Sequence, residues 1–288
     1  MTIDSSKPVI MGVLNITPDS FSDGGQNFDM ADAITSAKLM IAQGADIIDI
    51  GGESTRPGAQ AVSTSDEIDR VIPVIEALYH ASDIPISIDT SKPEVMKQAV
   101  KAGASMINDV CALSADGALE MAASLNVDVC LMHMQGSPRT MQKDPTYIDV
   151  VDDIKNFFSK RIKACVAAGI AEDKIILDPG FGFGKTLNHN LEILKRFHEF
   201  KSFGLPVLAG LSRKSMIGAL LNDRNIDGRV IGSVAGAIIA VQNGADIVRV
   251  HDVLETKDAL TILGGVNWVI ILVPMAYVEQ WVLPLLQL

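Results

Sequence analysis

Asp89, Asn108 and Asp178 stand far apart in the chain, yet each closes a short apolar run. Carboxylates and an amide in such places suit a ligand that presents N–H donors, such as an amino-pyrimidinone edge. A carboxylate facing two adjacent N–H groups makes a paired, charge-assisted contact. The local sequence offers these carboxylates no matching cation, and binding of a divalent metal is the alternative. Positive charge gathers elsewhere, in Ser212-Arg-Lys-Ser215 and in Arg249-Val-His251, against a net charge of -11. Cations kept together in so acidic a chain point to a phosphate group.

Three loops add to this inventory. Leu14-Asn-Ile-Thr-Pro-Asp-Ser-Phe-Ser-Asp-Gly-Gly25 is built for a loop, with a neutral oxygen on Asn15 and carboxylates on Asp19 and Asp23. Such hard oxygen donors suit Mg²⁺ beside a phosphate. Asp49-Ile-Gly-Gly-Glu-Ser-Thr-Arg-Pro-Gly58 lets backbone approach a ligand at its glycines and offers Arg56 for a bidentate grip on an anion. Asp178-Pro-Gly-Phe-Gly-Phe-Gly-Lys185 lacks the spacing of a nucleotide-binding P-loop. Its glycines instead free Phe181 and Phe183 to close over a flat ring.

The remaining reactive side chains carry less. Cys130 and Cys165 fall in a strand and a helix and read as core, while Cys111 has no histidine beside it to make a thiolate. His80, His189 and His198 read as exposed helical residues. His133 divides evenly between packing and the site.

Residues so scattered need a scaffold that brings run ends together. Eight apolar runs can be counted, at 9–15, 46–51, 85–90, 106–110, 128–134, 175–179, 207–212 and 246–251. Helical periodicity fills gaps between them at 30–43, 65–80, 93–102, 148–168, 190–200 and 229–243. Near-continuous apolar runs suit parallel strands covered on both faces. Gln43-Gly-Ala-Asp, Ala102-Gly-Ala-Ser and Asn243-Gly-Ala-Asp each place a glycine where a helix ends and a strand begins. Eight such units predict an α/β fold, the (β/α)8 TIM barrel, over a doubly wound sheet. In a barrel the run ends Asn15, Glu53, Asp89, Asn108, His133, Asp178, Ser212, Arg249 and His251 meet on one face.

The composition agrees: 288 residues, 48% hydrophobic and 20% charged, describe an ordinary globular protein. The acidic balance speaks against nucleic acid as a partner. Three cysteines without a CxxC pair, and an N-terminus without an apolar leader, lead us to expect a cytoplasmic protein. Residues 1–263 read as a single barrel domain and 264–288 as an atypical apolar tail. Pro274, Glu279 and Pro284 interrupt any stable membrane span there. A cover for the core, a partner surface, a membrane contact and a frameshifted end all fit that segment.

Taken together and in order, these blocks resemble the dihydropteroate synthase family of pterin-binding barrels, from about Val9 to Leu260. The resemblance implies condensation of 4-aminobenzoate with (7,8-dihydropterin-6-yl)methyl diphosphate, releasing diphosphate, in folate biosynthesis. It implies that Asp89, Asn108, Asp178 and Lys214 hold the pterin, with Asp178 on its N–H edge. Asn15 would reach Mg²⁺ and diphosphate, with Arg56, Arg249 and His251 beside it. Thr55, Pro57, Phe183 and Ser215 would shape the aminobenzoate pocket. Lys214, Asp178, Asp89 and Arg249 would carry catalysis. A homodimer and sensitivity to sulfonamides are further implications. A pterin-binding methyltransferase domain shares the barrel but needs no diphosphate cluster; a barrel that binds pterin without turnover is the non-catalytic alternative.

Overall fold

The computed structural model describes residues 7–16, 30–54, 60–136 and 140–272, the last six of these by backbone alone. Eight parallel strands alternate with helices. The strands are β1 (Val9–Asn15), β2 (Ile47–Gly51), β3 (Ile86–Asp89), β4 (Met106–Asp109), β5 (Asp128–Met132), β6 (Ile175–Asp178), β7 (Leu208–Ala209) and β8 (Ile247–Val250). The helices are α1 (Met30–Ala42), α2 (Thr64–Ala81), α3 (Pro93–Ala102), α4 (Ala118–Leu125), α5 (Val150–Ala167) and α6 (Leu187–Lys195). After them come α7 (Ser215–Leu220), α8 (Val230–Gln242) and α9 (Val253–Leu272).

The sheet runs β6-β5-β4-β3-β2-β1-β8-β7, and a parallel bridge between Leu177 and Val207 joins its two edges. The expected TIM barrel is therefore what the chain forms. β1 fills its apolar run of 9–15, and the other strands are shorter than theirs; β7 keeps two residues of the six expected. Two elements escape helical periodicity because they are too short to show it: α4 with eight residues and α7 with six. The 190–200 pattern divides between α6 and a 3-10 segment, Phe197–Phe203. The last helix runs on to Leu272, past the boundary at 263 that the sequence suggests between barrel and tail, and residues 273–288 lie outside the described ones.

Local chemistry explains the boundaries. Ser63 caps α2 through Asp66 N at 3.1 Å, and Asp149 caps α5 through Val151 N and Asp152 N. Gly44 and Gly244 both take φ of +99° or close to it, +97° for the former, where a left-handed residue ends a helix at low cost. The aspartates that follow them serve the floor of the barrel: Asp46 accepts from Ile10 N and Asp246 from Val207 N, each at 2.8 Å.

The inside of the barrel decides where the site must be. Met11, Ile47, Met106, Cys130, Ile176, Leu208 and Ile247 form one apolar cluster within it. Side chains in a strand repeat every second residue. Two positions further along, the same strands present Val13, Asp49, Asn108, Met132, Asp178, Gly210 and Arg249. On β3, Ser87 is likewise followed by Asp89. One step up, the apolar plug thus gives way on β2, β3, β4, β6 and β8 to a layer of carboxylates, an amide and a guanidinium.

Candidate active site

Arg249 stands at the centre of that layer. Its Nε donates to Asp49 Oδ2 at 2.6 Å and its Nη2 to Asp89 Oδ2 at 2.8 Å. Asp49 also accepts from Asn108 Nδ2 at 3.1 Å, which links β2, β3, β4 and β8 in one network. The expectation of carboxylates without a cation is corrected here: the barrel brings Arg249 to Asp89 from 160 residues away. Burial works against Arg249's charge, but Asp49 and Asp89 hold it protonated above the ordinary arginine range. Asp89 is pushed the other way. Its burial raises the carboxyl to about 7 despite Arg249 beside it, and the like charges of Asp49, Asp109 and Glu67 add to the rise.

Asp178, buried at the end of β6, accepts from Gly180 N at 2.7 Å through Oδ1. Its other oxygen faces Gly210, where an added Cβ would stand 3.9 Å from it and 3.8 Å from Arg249 Cβ. A larger residue at 210 would therefore fill the space that these two side chains border. Burial raises the Asp178 carboxyl as well, with Lys214 opposing. Lys214 precedes α7 and reaches back over the β6 loop. Its Nζ donates to Phe181 O and lies 4.5 Å from the centre of the Phe183 ring. Burial brings its ammonium down to about 8, against the pull of Asp178.

The loop 178–185 holds a second correction. Phe181 does not face a ligand: it is fully buried and stacks on Phe197 with centroids 6.1 Å apart. Only Phe183, half-buried, faces the mouth beside Lys214. His133 resolves as packing, edge-on to Phe157 and bonded to Lys185 Nζ at 3.0 Å. His189 is not merely exposed; it completes a capping box with Thr186 and packs on Tyr147. Ser215 begins α7 and is exposed. His251 accepts or donates at Nδ1 with Ser212 Oγ, 3.1 Å away, and its amide donates to the same oxygen. Arg213, between Ser212 and Lys214, makes a bidentate pair with Asp252.

Asn15 ends β1 against Gly51 and Asp89; an added Cβ on Gly51 would meet Asn15 Oδ1 and Asp89 Oδ2 at 3.8 Å each. The Asn15 carbonyl oxygen is thus placed beside the Asp89–Arg249 pair. Thr55, Arg56 and Pro57, and with them Asp19, Phe21 and Asp23, lie outside the described residues. Glu53 turns away from the mouth to Lys92 at 2.5 Å. Asp49 was the residue that reading run ends missed, since it lies inside an apolar run rather than at its close. A lone carboxylate within Ile47-Ile-Asp-Ile-Gly51 was the available signal.

Residues 11–251 match the family of pterin binding enzymes. The dihydropteroate synthase of Escherichia coli (strain K12) is 54% identical over 262 residues, 91% of this chain and 93% of that one. The chain belongs to the dihydropteroate synthase family. Solved dihydropteroate synthases superpose closely on it. One from Yersinia pestis, in complex with a sulfonamide drug, has a TM-score of 0.89 at 53% identity, covering 93% of this chain and 97% of that one. One from Xanthomonas albilineans with 4-aminobenzoic acid has a TM-score of 0.87 at 49% identity, covering 93% and 95%. As a dihydropteroate synthase the chain is a transferase of folate biosynthesis. The family match ends at His251, the last of the site residues, and so spans the whole polar layer.

Proposed function

We propose that Asp89, Asn108, Asp178 and Lys214 hold the pterin of (7,8-dihydropterin-6-yl)methyl diphosphate, while Arg249 and His251 take its diphosphate. The amine nitrogen of 4-aminobenzoate then attacks the methylene carbon. The C–O bond to diphosphate breaks, its electron pair leaves with diphosphate, and the new C–N bond gives dihydropteroate after loss of the amine proton. The observation that carries this reading is the polar layer itself, in which buried Asp49 and Asp89 hold Arg249 between them and Lys214 reaches in from the loop before α7. An arylamine needs no prior deprotonation, so the site needs no strong base. Charge builds on diphosphate and cation character builds on the pterin methylene; Arg249 serves the first and Asp89 and Asp178 the second.

Thr55, Arg56, Pro57, Phe183 and Ser215 belong to the same proposal as the aminobenzoate side of the site. So does binding of sulfonamides, which resemble 4-aminobenzoate in outline.

Mg²⁺ fits the donor set in one specific sense. Asn15 offers a single neutral oxygen beside Asp89, and no described group of three acidic, histidine or cysteine side chains forms a metal cage. Mg²⁺ commonly keeps several waters and binds through substrate phosphates and few protein oxygens. Asn15 would hold such an ion, which neutralises charge on the departing diphosphate when bound.

Two coarser features complete the proposal. Leu220 on α7 and Ile231 on α8 are 51% and 81% exposed, which supports burial against a second copy of the chain as a homodimer. All three cysteines are unpaired, which supports a reducing, cytoplasmic setting. No described helix is long and apolar enough to cross a membrane.

The test is release of diphosphate from dihydropterin diphosphate with Mg²⁺, with and without 4-aminobenzoate. Release that depends on aminobenzoate and yields dihydropteroate is the expected result. Tight pterin binding without such turnover would overturn it in favour of a non-catalytic barrel.

A further inference from the structure

The reaction as proposed leaves one buried amine without a task. Lys185 closes the loop after β6 and is 3% exposed. Its amine is met by Nδ1 of His133 at 3.0 Å, by the His133 carbonyl at 3.2 Å and by the Phe183 carbonyl at 3.0 Å. Burial holds its ammonium well below the ordinary lysine range, and the same burial with Lys185 nearby keeps His133 neutral, at about 2. A buried amine costs stability unless every position is hydrogen-bonded, and a well-packed apolar residue would often serve the fold as well. The geometry gives it a different use.

The loop it closes lies directly on the end of β5. Gly180 has φ +70°, and an added Cβ would stand 2.0 Å from His133 O; Gly184 has φ +62°, with Gln135 O at 2.3 Å. Lys185 reaches back beneath this contact and ties two points together. One is the β5 end at His133; the other is the carbonyl of Phe183, whose amide closes the turn on Gly180 O at 3.2 Å. The Phe183 ring in turn lies 4.5 Å from the Lys214 ammonium, whose other partner is Phe181 O in the same loop. Lys214 Cδ also comes within 3.3 Å of where a Cβ on Gly182 would be.

We propose that Lys185 is a positioning residue, which holds the Phe183 carbonyl to the end of β5 and so sets the Phe183 ring against Lys214. Through that one carbonyl it fixes both the aminobenzoate wall and the cation over the pterin. The inference rests on the placement of Phe183 and Lys214 given above, and its test is arranged so that the two fail differently.

Steady-state kinetics of the full chain are compared for Lys185→Met, Phe183→Leu and the double substitution, with circular dichroism to confirm folding. Lys185→Met should raise the aminobenzoate KM about tenfold, short of the roughly 10²-fold that a displacement of about 1 Å at a reacting site can cost. In the double substitution it should add nothing to Phe183→Leu, because residues acting through one contact are not additive. The alkaline limb of its kcat/KM profile should also move upward as the Lys214 ammonium is uncovered. Tyr147→Phe separates positioning from loop stability: it removes the 2.7 Å bond from Tyr147 Oη to Gly184 O, and should lower the melting temperature without changing the aminobenzoate KM. If Lys185→Met does not fold, His133→Leu takes its place, with the same expected changes in smaller measure. Additive losses, an unchanged KM, or an equal KM rise in Tyr147→Phe would overturn the inference. If Phe183→Leu itself leaves the KM unchanged, the assignment of Phe183 fails instead, and this inference with it.

Discussion

Asp89 and Arg249 meet across the mouth of the barrel, Nη2 donating to Oδ2 at 2.8 Å over a separation of 160 residues. The contact neutralises neither group fully, because Asp49 holds the other edge of the same guanidinium. Burial raises the Asp89 carboxyl to about 7 and brings the Lys214 ammonium down to about 8. The roles proposed for them require the first ionised and the second protonated. The kcat/KM for the pterin substrate should therefore follow a narrow bell with its maximum between about 7 and 8. Asp89→Asn should remove the acid limb and Lys214→Met the alkaline limb in a pH series.

The same shifts fix the sign of a stability effect. The folded protein binds the Asp89 proton more tightly than the unfolded chain, about 7 against 3.8. That contribution to stability is full below 3.8 and lost as pH rises through 7. For Lys214, lowered from 10.5 to about 8, the contribution is full above 10.5 and lost as pH falls through 8. At pH 7.5 the wild-type protein has neither in full. Asp89→Asn and Lys214→Met should each melt higher than wild type in the absence of substrate, a cost of function visible by differential scanning fluorimetry. Melting at lower temperature in both would contradict the shifts.

Removing a charge from the polar layer should slow the reaction far more than it perturbs the fold. Asp178→Asn and Lys214→Ala should each lose about 10²–10³ in turnover, roughly 3–4 kcal/mol of transition-state stabilisation. Initial rates of dihydropteroate formation measure this, and turnover within about tenfold of wild type would remove either residue from the catalytic set.

Asp49 is the residue to test for the network as a whole. It is fully buried and orients both Arg249 and Asn108. Asp49→Leu should destabilise the fold by about 3–5 kcal/mol, because it leaves Arg249 with one partner in place of two. Urea denaturation reads the loss. Asp49→Asn, which keeps the shape, should fall well short of it.

Chelation tests the metal. EDTA should abolish release of diphosphate while leaving the binding of a pterin without diphosphate unchanged by calorimetry, since the ion is proposed to act on the leaving group alone.

Much of this arrangement was legible in the sequence, and the physics of the exceptions is specific. Asp89, Asn108 and Asp178 announce themselves because each ends an apolar run, and strand ends in a barrel share one face. Asp49 hides because β2 runs on past it to Ile50 and Gly51, so that it falls inside an apolar run rather than at its end. Arg249's pairing is set by barrel closure, which no local pattern encodes. Phe181 and Phe183 are alike in sequence, and only the left-handed glycines around them turn one into the core and the other to the mouth. Lys185 reads as a loop lysine until the loop is seen folded over it.

The two-residue β7 has a consequence for how the protein breathes. Between β6 and β7 the sheet is joined by one bridge, Leu177 to Val207, where other neighbours share three or more registered pairs or, at β7 and β8, two. Asp178 and Lys214 stand beyond the two edges of this seam. Backbone amides there should be the first of the strands to exchange with deuterium, as lightly bonded segments open at the smallest cost. A pterin held by both residues spans the seam from above. Its arrival should slow that exchange more than any other in the barrel, making the substrate the missing cross-link of the sheet.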